Sequence, residues 1–192
     1  RIRVNGIPIN AQSVNKFIKN NKNNIESVGA SFFEVMTVMA VWYFKKKKVD
    51  YAIMETGLGG KFDSVTACGA SVVGITPISI DHSHILGDNI LDIANEKIEA
   101  IKQKSKVFSV LQINDINQKI RNKCIETKSK LEFIETDYTI KLSLEGDHQK
   151  QNASLALAIC KNFIKLDAPD IESCLMSINW HGRNQIVKHN PD

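Results

Sequence analysis

Glu55 ends an apolar run, Val49-Asp50-Tyr51-Ala52-Ile53-Met54, and opens a glycine cluster, Gly57-Leu58-Gly59-Gly60, followed by Lys61-Phe62-Asp63-Ser64. A carboxylate there is chemically useful. Glycines let a ligand approach the backbone closely, and open α/β sheets bind ligands at the carboxyl ends of their strands. A second polar group, Asp81-His82-Ser83-His84, follows another β-rich run and Thr76-Pro77. Glu55, Asp81, His82 and His84 are types that could meet around a hard divalent cation, since carboxylates suit magnesium and an imidazole can complete a partly hydrated shell. The glycines spell neither G-x-G-x-x-G nor G-x-x-x-x-G-K-[ST], and a strand-to-loop turn with a solvated glutamate accounts for this stretch equally well.

Groups of this kind need strands and helices to hold them. Residues 49–54 read as a short buried strand, bounded by lysines and glycines. Upstream, residues 2–9 read as a strand broken by an Asn5-Gly6 turn, residues 10–20 as a short helix and residues 20–24 as a polar loop. Ser31 is placed to cap a helix through Phe44, with Glu34 completing an S-x-x-E capping box and Phe33, Met36, Thr37, Ala40 and Phe44 on one face. That cap with core packing accounts for Ser31-Phe32-Phe33-Glu34 on its own. Lys45 to Lys48 suit the negative end of the helix dipole.

Downstream, residues 71–75 read as a strand, and Asp88 as the cap of a helix with apolar positions Ile90, Leu91, Ile93, Ala94, Ile98 and Ile101, which also carries Glu96 and Lys97. A strand over 106–111, a helix over 115–127 and a strand over 131–135 continue the alternation. Residues 138–144 suggest a smaller or edge sheet, and helices are expected over 152–164 and from Pro169 to Ile178. A loop at Trp180-His181-Gly182-Arg183 then leads to a strand over 185–188. The expected fold class is α/β, a mostly parallel sheet flanked by helices with a small additional antiparallel sheet. One domain is expected over 1–189, with a linker beginning at 190–192.

The 192 residues carry 25 lysines and arginines against 21 acids, a net charge of +4. So small and dispersed an excess gives no reason to expect nucleic acid or a membrane as partner, and suits an anionic small molecule. Cys68, Cys124, Cys160 and Cys174 are far apart with no C-x-x-C pair, which points to reduced thiols and a cytoplasmic protein rather than to disulfides or zinc.

Taken together, Arg1-Ile2-Arg3-Val4-Asn5-Gly6, Ser31-Phe32-Phe33-Glu34, Glu55 through Asp63, Asp81-His82 with Leu86-Gly87, Glu96-Lys97, Gly146 with His148-Gln149 and Asn152, and Trp180 with Gly182-Arg183 resemble the folylpolyglutamate synthase and dihydrofolate synthase family of the wider Mur ligase group. The resemblance runs nearly end to end and implies the central ATPase-type domain of that group. It implies magnesium ligands at Glu55 and His82, and a carbamylated lysine at Lys97, which would turn an ammonium without acceptors into an anionic oxygen ligand. It also implies pterin-substrate contacts from Ser31, Phe32, Phe33, Glu34, Phe62, Asp63 and Ser64, and nucleotide contacts from Asn152 and Arg183.

The implied reaction is ATP-dependent ligation of L-glutamate to dihydropteroate or a folate through an acyl phosphate, with magnesium as cofactor, ATP as co-substrate and a monomeric enzyme. By the same resemblance, a glycine-rich phosphate loop is expected upstream of Arg1 and a further domain after Asp192, so these residues alone are expected not to turn over ATP. The chain departs from the family pattern at Lys61, Glu99 and His181. A cell-wall Mur ligase and a non-catalytic nucleotide or folate binder are the alternative readings.

Overall fold

Asn5 and Gly6 reverse the chain between β1 (Arg3–Val4) and β2 (Ile7–Pro8), an antiparallel pair with Arg3 opposite Pro8 and Val4 opposite Ile7. Both turn residues have positive φ, 50° and 78°. Two-residue hairpins of the most favoured kind demand that conformation, and Asn-Gly adopts it at little cost. The structure, a computed structural model, describes residues 2–180. The chain forms two compact units, Arg1–Gly69 and Ala70–Asp192.

In the first unit, α1 (Ala11–Val28) starts at Asn10, whose side chain accepts the Ser13 N–H at 2.8 Å, and stops at Gly29 in the left-handed conformation. The helix is longer than the 10–20 segment expected from sequence. The polar stretch 20–24 stays helical because Asn21 returns its amide to the Phe17 carbonyl at 2.8 Å and Ile25 packs on the core, so tertiary contacts outweigh modest propensity. Next, α2 (Phe32–Lys47) begins with the expected capping box and ends in three lysines. Ile2, Phe17, Met39, Ala40 and Tyr43 form the core of this unit, with Met36, Phe44 and Met54 packed against it.

Residues 49–54 are not a strand. No described strand pairs with them, and Ile53 is 94% exposed. An apolar run becomes a strand only where a ladder takes up its backbone groups, and whether a run joins one is a tertiary matter that its composition does not encode. A short 3₁₀ turn, Thr66–Cys68, closes the unit.

The second unit is built on a parallel sheet in the order β3 (Val72–Ile75), β4 (Lys106–Val110), β5 (Lys130–Ile134), with Val72 beside Lys106 and Lys106 beside Lys130. Central β4 is buried on both faces, as parallel strands are, so Val107 and Ser109 are as enclosed as Phe108 and Val110. Helices α3 (Ser83–Leu86), α4 (Ile90–Ile98) and α5 (Asn114–Glu126) occupy the connections, and α6 (Asp147–Lys161) packs Leu155, Ala158 and Ile159 on Phe108 and Val110. Last comes α7 (Ala168–Met176).

The parallel α/β arrangement is as expected, with local corrections. The cap of α4 is Asn89, not Asp88: its Oδ1 accepts the N–H groups of Leu91 and Asp92 at 2.9 and 3.0 Å. That helix ends at Ile98, one turn before Ile101. Short α3 had no apolar period to betray it, and α6 starts at Asp147 rather than 152. Residues 138–144 form no strand; their alternation serves a turn in which Asp137 accepts from Thr139. The small antiparallel sheet is therefore the β1–β2 hairpin. The expected strand over 185–188 lies outside the described residues. No described helix is long and apolar enough to cross a membrane.

Candidate functional site

The loop after Glu55 is organised by Asp63. Its Oδ2 accepts the backbone N–H groups of Gly57 at 2.7 Å and Leu58 at 3.1 Å, and its Oδ1 accepts that of Val65 at 2.8 Å. At 9% exposure this carboxylate is almost wholly occupied inside the loop. An anion accepting several amide hydrogens is strongly held, so Asp63 folds the glycine run into a fixed shape. Such a residue positions the loop.

Two contacts join the loop to α2. Ser64 Oγ lies 2.7 Å from Thr37 Oγ1, and the Thr37 hydroxyl donates to the Phe33 carbonyl at 3.0 Å. A hydroxyl has one hydrogen, so Ser64 donates in the Ser64–Thr37 pair. The tip of the Phe33 ring rests against Gly57. Thr37 is thus part of this arrangement, although only a helical apolar period marked it in the sequence and nothing there tied it to Ser64. Nearby, the Thr66 hydroxyl is buried without a partner among the described residues.

What this platform presents outward is aromatic, basic and acidic. Phe62 is 87% exposed with Lys61 Nζ 5.1 Å from its ring centre, and Phe32 is 80% exposed at the start of α2. Glu55 is exposed and has no hydrogen bond or ion pair among the described residues. Ser31 and Glu34, by contrast, are engaged with each other: Glu34 Oε2 accepts from both the N–H and the hydroxyl of Ser31 at 2.7 Å, while Ser31 Oγ accepts the Glu34 N–H at 3.3 Å. The Ser31 hydroxyl and N–H hold the Glu34 carboxyl below its ordinary range.

In the second unit, the segment after β3 carries His82 with a positive φ of 51°. Asp81 Oδ1 accepts the His82 N–H at 2.8 Å, and Asp81 Oδ2 lies 3.7 Å from His82 Nε2. The His84 ring stands edge-on, 6.3 Å away between centroids. Two N–H groups, of Ile85 and Leu86, converge on the His82 carbonyl. Lys97 is half-buried on α4, where it was expected. Glu99, one of the departures, sends its carboxylate to Lys123 Nζ on α5 at 2.8 Å. Asn152 lies on α6, its amide 3.3 Å from Gln149 Oε1, and Arg183 falls outside the described residues.

The implied magnesium ligands divide between the units, Glu55 in the first and His82 and Lys97 in the second. Among the described residues no three His, Cys, Asp or Glu side chains gather into a metal-holding group. The uncommitted Glu55 carboxylate and the exposed His82 imidazole nevertheless fit a hard, partly hydrated cation in donor type.

No protein-family model matches the chain. The whole chain aligns at 29% identity with the folylpolyglutamate synthase of Candida albicans, covering 45% of that protein, and at 30% with the dihydrofolate synthase/folylpolyglutamate synthase of Bacillus subtilis, covering 53%. Among solved structures, Mycobacterium tuberculosis folylpolyglutamate synthase complexed with ADP and AMPPCP superimposes with a TM-score of 0.81 at 27% identity, over 94% of this chain and 49% of that one. The chain spans about half the length of these relatives.

Proposed function

We propose, because this chain belongs to the folylpolyglutamate synthase family, that the protein containing it is an ATP-dependent ligase joining L-glutamate to dihydropteroate or a reduced folate through an acyl phosphate. The observation that carries the reading is the loop around Asp63, which is locked from within yet presents Glu55, Lys61 and Phe62 outward. A fixed polar and aromatic platform is what a flat heterocycle bearing carboxylates requires, because aromatic faces stack on it and polar groups fix its orientation. Phe32 and Phe62 offer the free rings.

By likeness to the family, Glu55 would offer magnesium a carboxylate, His82 an imidazole and Lys97 a carbamate oxygen. When bound, magnesium neutralises charge on the phosphate oxygens during phosphoryl transfer. Asn152, and Arg183 beyond the described residues, meet the adenine nucleotide. The protein works in the cytoplasm as a monomer on small-molecule substrates alone.

The test is an assay of the full-length protein with ATP, magnesium and L-glutamate, offered dihydropteroate or tetrahydrofolate, beside a nucleotide-linked muropeptide with its own amino acid. Glutamate is expected to join a pterin-bearing acceptor, with ADP released, and Glu55→Ala to abolish metal-dependent turnover. Use of the muropeptide alone would overturn the folate reading, and binding without turnover would make the protein a non-catalytic relative.

A further inference from the structure

The side-chain amide of Gln112 joins the segments that leave two neighbouring strands. Its Oε1 accepts the N–H of Ile78 at 3.0 Å, and its Nε2 donates to the carbonyl of Thr76 at 3.0 Å. Gln112 is itself gripped by Asn117 on α5. Asn117 Oδ1 accepts the Gln112 N–H at 3.1 Å, and Asn117 Nδ2 donates to the Gln112 carbonyl at 2.8 Å. A chain of paired amide contacts therefore runs from α5, through the end of β4, to the backbone following β3.

That backbone carries His82. Ile78 is buried, Leu86 is buried on the far side, and between them Ser79, Ile80, Asp81, His82, His84 and Ile85 are exposed. His82 sits between these two anchors with an unusual positive φ. A side chain on so exposed a stretch is only as well placed as its anchors. The upstream anchor is held by side-chain hydrogen bonds from Gln112, whereas the Leu86 N–H bonds back to the His82 carbonyl within the segment. Neither Gln112 nor Asn117 belongs to any motif in the sequence, since their relation to Thr76 and Ile78 exists only once β3 and β4 pair.

We propose that Gln112 is a positioning residue for His82, fixing the Thr76–Ile78 backbone so that the imidazole is presented for ligand binding. The assignment rests on the ligase reading for its kinetic consequence but not for the clamp itself. Groups that orient a metal ligand without touching the metal commonly alter metal affinity or activity by about 10–100-fold when removed.

Gln112→Met keeps the length and removes both hydrogen bonds. In the full-length protein it is expected to raise the half-saturating magnesium concentration about tenfold, with the apparent KM for the pterin acceptor little changed. Amide exchange over 76–82 should quicken while that of β4 stays slow, and Gln118→Met on the exposed face of α5 should match wild type in both. Gln112→Glu retains the acceptor for Ile78 and loses the donor to Thr76, so an intermediate shift is expected. It serves as the test should Gln112→Met fail to fold, and no shift in it would then overturn the proposal. Magnesium dependence within twofold of wild type in folded Gln112→Met overturns the proposal. Were the wild type to show no ligation, the ligase reading would fail and the exchange data alone would decide: faster exchange over 76–82 supports the clamp, and unchanged exchange overturns it.

Discussion

The tip of the Phe33 ring meets Gly57, where an added Cβ would stand 2.9 Å from Phe33 Cζ and 3.1 and 3.2 Å from its two Cε atoms. The contact fixes the beginning of the Asp63 loop against α2, as the Ser64–Thr37 bond fixes its end. It also separates the two phenylalanines of the Phe32-Phe33 pair. Phe33, 39% exposed, packs within the platform, and Phe32 stays outside.

Gly57→Ala should therefore push the Phe33 ring aside and, because that ring is partly exposed and its tip can move, destabilise the protein by no more than about 1 kcal/mol. The position has no positive φ, so the cost arises from the contact and not from the backbone. Phe33→Leu, which shortens the opposing tip, should recover most of the loss when combined with Gly57→Ala. Urea unfolding of the single and double variants measures both.

The exposed rings should behave in the opposite way. Phe62→Ala removes no core packing, so stability should stay within about 0.5 kcal/mol of wild type. If Phe62 stacks on the acceptor, losing the ring should raise the acceptor KM by roughly 2- to 13-fold, the equivalent of about 0.5–1.5 kcal/mol, while leaving the ATP KM unchanged. Steady-state kinetics on the full-length protein separates the two constants.

Asp63→Asn should loosen the loop although it is nearly isosteric. An amide turns two hydrogens toward N–H donors that now meet carboxylate oxygens, so at least one bond is lost and a donor opposes a donor. Losing a hydrogen bond to a charged group costs about 1.5–3 kcal/mol. Amide exchange at Gly57, Leu58 and Val65 should accelerate together, and pterin and magnesium dependence should both worsen, since the loop carries Phe62 and follows Glu55.

Much of this was legible in the residues, for reasons that differ by element. The capping box at Ser31 and Glu34 and the Asn5-Gly6 turn are local chemistry and emerged where expected. The parallel β3–β4–β5 sheet followed from short apolar runs alternating with amphipathic stretches. What failed was non-local. Residues 49–54 have the composition of a strand but join neither sheet among the described residues, and the alternation at 138–144 reports a turn. The outward or inward direction of Asp63, and the ties of Thr37 to Ser64 and of Gln112 to Ile78, depend on tertiary approach that no spacing encodes.

The capping box also predicts a pH response. Because Ser31 holds the Glu34 carboxyl below its ordinary range, folding favours the ionised form. The resulting stabilisation is complete above the carboxyl's unfolded value and is lost as pH falls through the lowered folded value. Glu34→Gln should differ from wild type at neutral pH, and the difference should shrink under acid conditions. Thermal unfolding of both proteins across the acid range checks the sign.

Glu99 and Lys123 give the last prediction, and it bears on whether Glu99 marks a site that has drifted. The Glu99 carboxylate reaches across to α5, where the Lys123 side chain is only 13% exposed. Its hydrogen bond to Glu99 raises the Lys123 pKa against the opposing effect of burial. The pair should thus contribute at neutral pH, below the unfolded lysine value, and fade only as pH rises through the raised folded value. In a cycle of Glu99→Gln, Lys123→Met and the double variant, a coupling of about 1 kcal/mol is expected at pH 7, because one partner is well shielded from water. The double variant should be more stable than the sum of the two losses implies, since neither member of the Glu99–Lys123 pair is left without the other, and Glu126, which also meets Lys123 at 3.4 Å, is exposed and loses little. If Glu99 serves to tie α4 to α5, Glu99→Gln should also leave the response of Lys97 to bicarbonate unchanged. A large change there would mean that Glu99 acts on Lys97 itself, and that the departure from the family pattern reaches the chemistry.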